Sequence, residues 1–273
     1  PKPRKGVSKQ SGANAKQVSA QAEEQLIDRA KQLLREKEIK FKQRVDTAGL
    51  AKKDKKKTKV YETSGETVTI NKSSSENEKI TDKDIKWYNS LIEKGTMKDK
   101  ISALGLIVKT DPQSSLGYVV ALLKMAAKKD RKQAFIAIDN LQELFTQTLL
   151  PKDRKLLPFK TAVAEAQSEN KKITDTTLSK LFFEHKLRSL YIEYIDLVGK
   201  CTNDPLDYFK KLAISILSDC LLECPEQEET LLTLLINKLG DPNAEVSKHT
   251  IMNLIRILKK HNNMTQVVTG EIQ

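Results

Sequence analysis

Residues 203–223 read NDPLDYFKKLAISILSDCLLE and residues 240–260 read GDPNAEVSKHTIMNLIRILKK, with the second Asp-Pro 37 residues beyond the first. Superimposed, Phe209 meets Val246, Lys211 meets Lys248, Ile214 meets Ile251, Leu217 meets Leu254 and Leu221 meets Leu258. Apolar residues in both recur at steps of three and four, the spacing of one face of an α-helix. The Asp-Pro pairs predict abrupt helix starts, with Asp204 and Asp241 capping free amides and Pro205 and Pro242 at the first helical position, where no donor is needed. A third copy is suggested at Asp130, 74 residues before Asp204, with Pro151 to Ile173 as an irregular insertion.

Helical periodicity extends back to Trp87. Met97, Ile101, Leu104 and Val108 mark one helix; Leu116, Val120, Leu123 and Ala127 mark another beyond Asp111-Pro112. Ala134 to Leu149, Phe183 to Cys201 and Leu231 to Leu239 supply further amphipathic runs, and nothing after Trp87 reads as a strand. A period near 37 with two helices per unit resembles the HEAT and armadillo class, whose units stack because none can bury its apolar face alone. The fold expected is all-α, a HEAT/armadillo-like α-solenoid over residues 87–273. An extended repeat surface is consistent with 38% apolar and 5% aromatic content, lean for a single sphere, and it suits long partners better than small ligands.

Residues 1–86 differ. They carry 22 Lys/Arg against 13 Asp/Glu, net +9 of the chain's +12, and two of its aromatics, Phe41 and Tyr61. Too little bulk is present to offset the entropy of ordering an independent core. Val18, Ala22, Leu26, Ala30, Leu33 and Leu34 instead predict one long basic helix with a thin apolar seam. The run Lys52 to Lys59 and the Ser/Thr/Glu-rich stretch to Glu78 read as an extended tether, with Val60 to Ile70 a short strand or hairpin ordered on a partner. Residues 1–86 are thus expected to form a basic N-terminal arm.

Several functions fall away. No run approaches the roughly 18 apolar residues of a spanning helix, so no membrane is expected. The chain opens Pro-Lys-Pro-Arg-Lys without an apolar segment behind it, so no secretory signal is expected and the sequence reads as a fragment. Cys201, Cys220 and Cys224 lack Cys-x-x-Cys spacing and read as reduced, buried thiols. His185, His249 and His261 make no ligand pair, and His249 is expected to be partly buried. No phosphate-cradling glycine loop or nucleophile elbow occurs, so no catalytic residue, metal, cofactor or small-molecule substrate is expected.

Function should then lie in surface charge, and a basic balance favours polyanions. Lys52, Lys53, Lys55, Lys56, Lys57 and Lys59 are candidates for phosphate neutralisation or for nuclear targeting. Arg131 and Lys132 follow the expected cap Asp130, in a first turn where the helix dipole opposes positive charge, so a bound phosphate would compensate them. Arg154 and Lys155, and Lys210 with Lys211, are weaker candidates of the same kind. Lys128 and Lys129 would close a helix, where the dipole welcomes cations without a ligand.

Trp87-Tyr88, the segment GTMKDKISAL at 95–104, the stretch Lys128 to Leu156 and NKLGDP at 237–242 together resemble the CCAAT-binding-factor/Mak21 family, also called nucleolar complex protein one. The resemblance covers about residues 87–273. It implies a nuclear and nucleolar assembly factor of the large ribosomal subunit, binding early pre-ribosomal RNA and pairing with nucleolar complex protein two, among other pre-60S assembly factors and ribosomal proteins. The chain stops at Gln273, so the family's further C-terminal domain and any partner interface on it are not expected on this sequence. The main alternative is a protein-only scaffold whose basic arm serves import. Sequence-specific DNA binding ranks below both, for want of a helix-turn-helix, zinc-finger or basic-zipper signature. If six lysines of the Lys52 to Lys59 run engage duplex phosphates, log K should fall against log salt with a slope of about −5. A filter-binding titration with a slope near zero would remove the run from the interface.

Overall fold

The computed structural model describes residues 11–50, 82–168, 173–261 and 270. Helices account for all regular structure among them, in the order α1 (Ser11–Leu50), α2 (Asp82–Lys94), α3 (Met97–Thr110), α4 (Leu116–Ala126), α5 (Arg131–Leu144), α6 (Phe159–Ser168), α7 (Asp175–Cys201), α8 (Asp207–Glu223), α9 (Glu228–Ile236) and α10 (Ala244–Lys260). Helix α5 runs into a wider π-turn over Phe145–Leu149, closed by the Leu150 amide on the Phe145 carbonyl at 3.0 Å. Leu150 is then extended, as a residue before proline is constrained to be.

Several starts carry side-chain caps. Thr96 and Asp99 form a reciprocal capping box on α3, and the Thr174 hydroxyl accepts from the Thr177 amide on α7. Asp130 caps α5 as its sequence predicts, accepting from the Gln133 amide at 3.3 Å. The two Asp-Pro pairs act differently from expectation. Asp204 accepts from the Leu206 amide at 2.9 Å and Asp241 from the Asn243 amide at 3.1 Å, so each makes a turn two residues long. Helices α8 and α10 begin only after those turns, behind Leu206 and Asn243, and the prolines precede the first helical position.

Helices α3, α5, α8 and α10 lie side by side in that order. Each is backed by a neighbour in sequence: α3 by α2, α5 by α4, α8 by α7 and α9, and α10 by α9. The two copies of the 37-residue pattern are thus adjacent helices, and the arrangement is compatible with an α-solenoid. Helix α6 falls within the stretch expected as an irregular insertion and packs on α7.

The 27-residue α7 is the spine, touched by α1, α4, α6 and α8. Tyr191, Tyr194 and Phe145 are fully buried at its centre, their rings 5.1 to 6.2 Å apart. The Tyr194 hydroxyl donates to the Ile138 carbonyl of α5 at 3.1 Å, tying two helices together where no water reaches. Cys220 and Cys224 are buried free thiols beside this cluster, as expected from their helical spacing, and burial pushes Cys220 up to about 12.

Helix α1 is not held away from the body. Ala30, Leu34, Phe41 and Val45 are buried, and its neighbours are α7 and α2. Phe41 and Val45 join Ile85 and Ile107 in one apolar cluster, Phe41 meets the Tyr118 ring edge-on, and the Asn89 amide donates to the Val45 carbonyl at 2.6 Å. The basic helix therefore uses its seam for packing and leaves its cations outside. The Lys52 to Lys59 run and the Val60 to Ile70 segment lie outside the described residues.

Removing the Tyr194 hydroxyl as Tyr194→Phe should cost about 1 kcal/mol, because Ile138 keeps its helical position and loses one donor. Removing the ring as Tyr194→Ala should cost roughly 3 to 5 kcal/mol through the cavity left. Urea unfolding of the two variants should separate these values, and equal losses would show that the ring is not the spine's anchor.

Candidate nucleic-acid interface

The starts of α5 and α8 hold four of the six described cations expected to meet phosphate, and three of them, Arg131, Lys210 and Lys211, meet a carboxylate of the chain. Arg131 Nε donates to Asp204 Oδ2 at 2.7 Å. Lys210 lies 3.4 Å from Asp207 and 3.5 Å from Asp241, and Lys211 Nζ lies 2.5 Å from Glu245 Oε2. Away from this edge, Arg154 pairs with Glu184 at 2.8 Å and Lys155 with Glu228 at 2.7 Å. Hydrogen bonding to Glu184 and to Glu228 raises the guanidinium and the ammonium, respectively, above their ordinary values. The missing compensation for Arg131 at its helix start is thus supplied by Asp204 of a later unit.

The pairs follow the repeat. Lys109–Glu143 and Lys211–Glu245 are 34 residues apart, and Asp219–Arg256 and Glu223–Lys260 are 37 apart. Arg131–Asp204 and Lys155–Glu228 are 73 apart, close to two periods. Sequence reasoning weighed the cations helix by helix and missed these acids, although the 37-residue offset places them beside the cations.

Partial burial would raise the Asp204 carboxyl, but the Arg131 guanidinium and the Leu206 amide outweigh it and hold the group below its ordinary value. Burial likewise opposes ionisation of Asp241, and the Asn243 amide with Lys210 and Lys238 prevails.

What remains free is informative. Lys132 is exposed and borders an apolar groove between α5 and α8. Lys124, Lys128 and Lys129 stand exposed around the turn from α4 to α5, without an ion pair among the described residues. Lys128 and Lys129, explained by helix closure in the sequence, are therefore better placed for an outside anion than the paired residues. A second basic region lines a cleft of about 560 Å³ between α1, α4 and α7, where Arg35 and Lys186 stand with Glu38 and Glu193. Burial raises the Glu38 carboxyl while Lys186 opposes that rise.

Among the described residues, no cluster of His, Cys, Asp or Glu suits a metal ion and no helix is long and apolar enough to cross a membrane. His249 is half-buried and shares a hydrogen bond with Ser215 at 2.9 Å. Among the described residues the class is that of an all-helical protein whose adjacent helices are joined by side-chain ion pairs.

No family model matches the chain. It is 33% identical over 192 residues to CCAAT/enhancer-binding protein zeta of Mus musculus, covering 68% of this chain and 18% of that protein. It is 31% identical over 204 residues to ribosome biogenesis protein NOC1 of Chaetomium thermophilum, covering 69% and 20%, and 30% identical over 213 residues to nucleolar complex protein 1 of Drosophila melanogaster, covering 74% and 18%. The chain belongs to the CCAAT-binding-factor/Mak21 family, that of nucleolar complex protein one. It spans about a fifth of the length of these relatives.

Asp204, with its depressed pKa, contributes stability above its unfolded pKa of about 3.9, and that contribution is lost as pH falls through the lower folded value. Arg131→Ala should therefore cost about 0.5 to 1 kcal/mol at neutral pH, after discounting for solvent screening, and nothing once Asp204 is protonated. Urea titrations of both proteins at neutral pH and at about pH 2.5 should show the gap closing. A gap that persists in acid would mean that Arg131 acts through packing.

Proposed function

We propose that this chain is the HEAT/armadillo-like α-solenoid portion of a non-catalytic assembly factor for the large ribosomal subunit, working in the nucleus and nucleolus. Relatives named as a ribosome biogenesis protein and as nucleolar complex protein 1 support the process and the place. Hydrogen bonds between positions 34 to 37 residues apart support the repeat reading, since equivalent helices of neighbouring units lie side by side. Its partners are pre-ribosomal RNA, nucleolar complex protein two and other pre-60S proteins.

The observation that carries RNA contact is the unpaired trio Lys124, Lys128 and Lys129 at the end of α4 and the turn after it, whereas Arg131, Arg154, Lys155, Lys210 and Lys211 are ion-paired within the chain. Phosphate neutralisation is the mode, since these lysines reach a backbone without any element shaped to read base edges. Ion pairing of Arg131, Arg154, Lys155, Lys210 and Lys211 favours the second reading, a scaffold that binds proteins alone.

The variant Lys124→Glu/Lys128→Glu/Lys129→Glu separates the two. On a duplex fragment of pre-ribosomal RNA, filter binding should weaken and the salt slope should become shallower by about 2 to 3. Unchanged affinity and slope, in a variant that melts like the parent, would favour the protein-only scaffold.

A further inference from the structure

Helices α8 and α10 are bridged along their length, by Lys211–Glu245, Ser215–His249, Asp219–Arg256 and Glu223–Lys260. Helices α5 and α8 run in the same direction but are joined differently. Arg131–Asp204 ties their starts, Gln142–Asp219 ties their far ends, and the rings of Phe135 and Phe209 stack between at 4.9 Å. The remaining space is an open groove of about 810 Å³. Its floor is apolar, made of Phe135, Ile136, Phe209, Leu212 and Ile216. Its rim carries Leu206 and Tyr208, which are 50% and 70% exposed although both are large and apolar in body. Exposed bulk beside an apolar floor costs solubility unless something covers it.

The charges are arranged along the groove. Lys132 lies at one end and Asp139 seven residues on, about 10 Å along the axis of α5 and on the same face. Neither has an ion pair among the described residues. Asp139 is flanked by Glu143 and Asp219, and burial together with these two raises its carboxyl above the ordinary value. A phosphate backbone is therefore unwelcome at that end, whereas a cation is not. Two turns of helix span the same distance and offer apolar residues at steps of three and four to the floor.

We propose that this groove docks one amphipathic helix of a partner protein, its apolar face on Phe135, Leu212 and Ile216, a basic side chain against Asp139 and an acidic one against Lys132. The groove contains none of Lys124, Lys128 and Lys129, the lysines proposed above to meet RNA, so either assignment can fail alone.

The test places the photoreactive residue p-benzoylphenylalanine at Tyr208 in the protein as cells make it, then sequences the crosslinked peptide. The expected product is one protein segment with large apolar residues at helical spacing and Lys or Arg one end of that run. Asp139→Lys should cut the yield at least tenfold, and reversing the partner's basic residue to Glu should restore it, with the melting temperature of the Asp139→Lys protein unchanged. No adduct, adducts to RNA, adducts to a second copy of this chain, or indifference to Asp139→Lys would each overturn the proposal.

Discussion

Burial of the Tyr191–Tyr194 face of α7 is the constraint from which the architecture follows. A 27-residue helix carrying two fully buried tyrosines must be covered on several sides, and α1, α4, α6 and α8 provide that cover. Aromatic rings of this size dominate the apolar area a lean composition can bury, and a buried phenol demands an acceptor. The Ile138 carbonyl supplies it for Tyr194, which sets the distance of α5 from the spine, whereas the Tyr191 hydroxyl is buried without a hydrogen-bond partner and that ring contributes through packing. The π-turn at the end of α5 brings Phe145 against both tyrosines, so an irregular stretch of helix is part of the same contact.

Around that core, ion pairs join neighbouring helices. Exposed pairs such as Lys211–Glu245 and Lys260–Glu223 add little stability one by one. Nor do they fix the register, since a slip of one turn would set Asp219 against Lys260 or Glu223 against Arg256; the buried faces at Leu217, Leu221, Leu254 and Ile257 are what a slip would misalign. Glu226 works differently. It is 2% exposed, accepts from the Leu156 amide at 2.7 Å and lies 3.4 Å from Arg188, so it anchors the segment between α5 and α6 onto the α8–α9 turn.

This use of charge divides the surface into two kinds of cation. Those at the unit boundaries have carboxylates within reach and would have to give them up to meet a phosphate. Lys124, Lys128 and Lys129, around the α4–α5 turn, have no ion pair among the described residues. A helical-repeat surface can in this way hold itself together and still present a basic patch, and the family's link to ribosome assembly fits such a division.

The sequence by itself determined the helices from Trp87 onward. Steps of three and four at Ile214, Leu217 and Leu221 suit one face of a helix, and the two segments offset by 37 residues, α8 and α10, pack side by side, an arrangement compatible with an α-solenoid. The sequence also marked Cys220 and Cys224 as core and Asp130 as a cap, both properties of local spacing, whereas Cys201, expected to be buried as well, is only half-buried. The Asp-Pro turns ahead of α8 and α10 are local too, two residues long, and differ from the helix caps expected there. Tertiary structure alone decided which charges stay free and that α1 lies on the body. The physical reason is that helix periodicity is set within a few residues, whereas ion pairing and docking depend on which side chains, 34 to 146 residues away, the fold brings within hydrogen-bond reach.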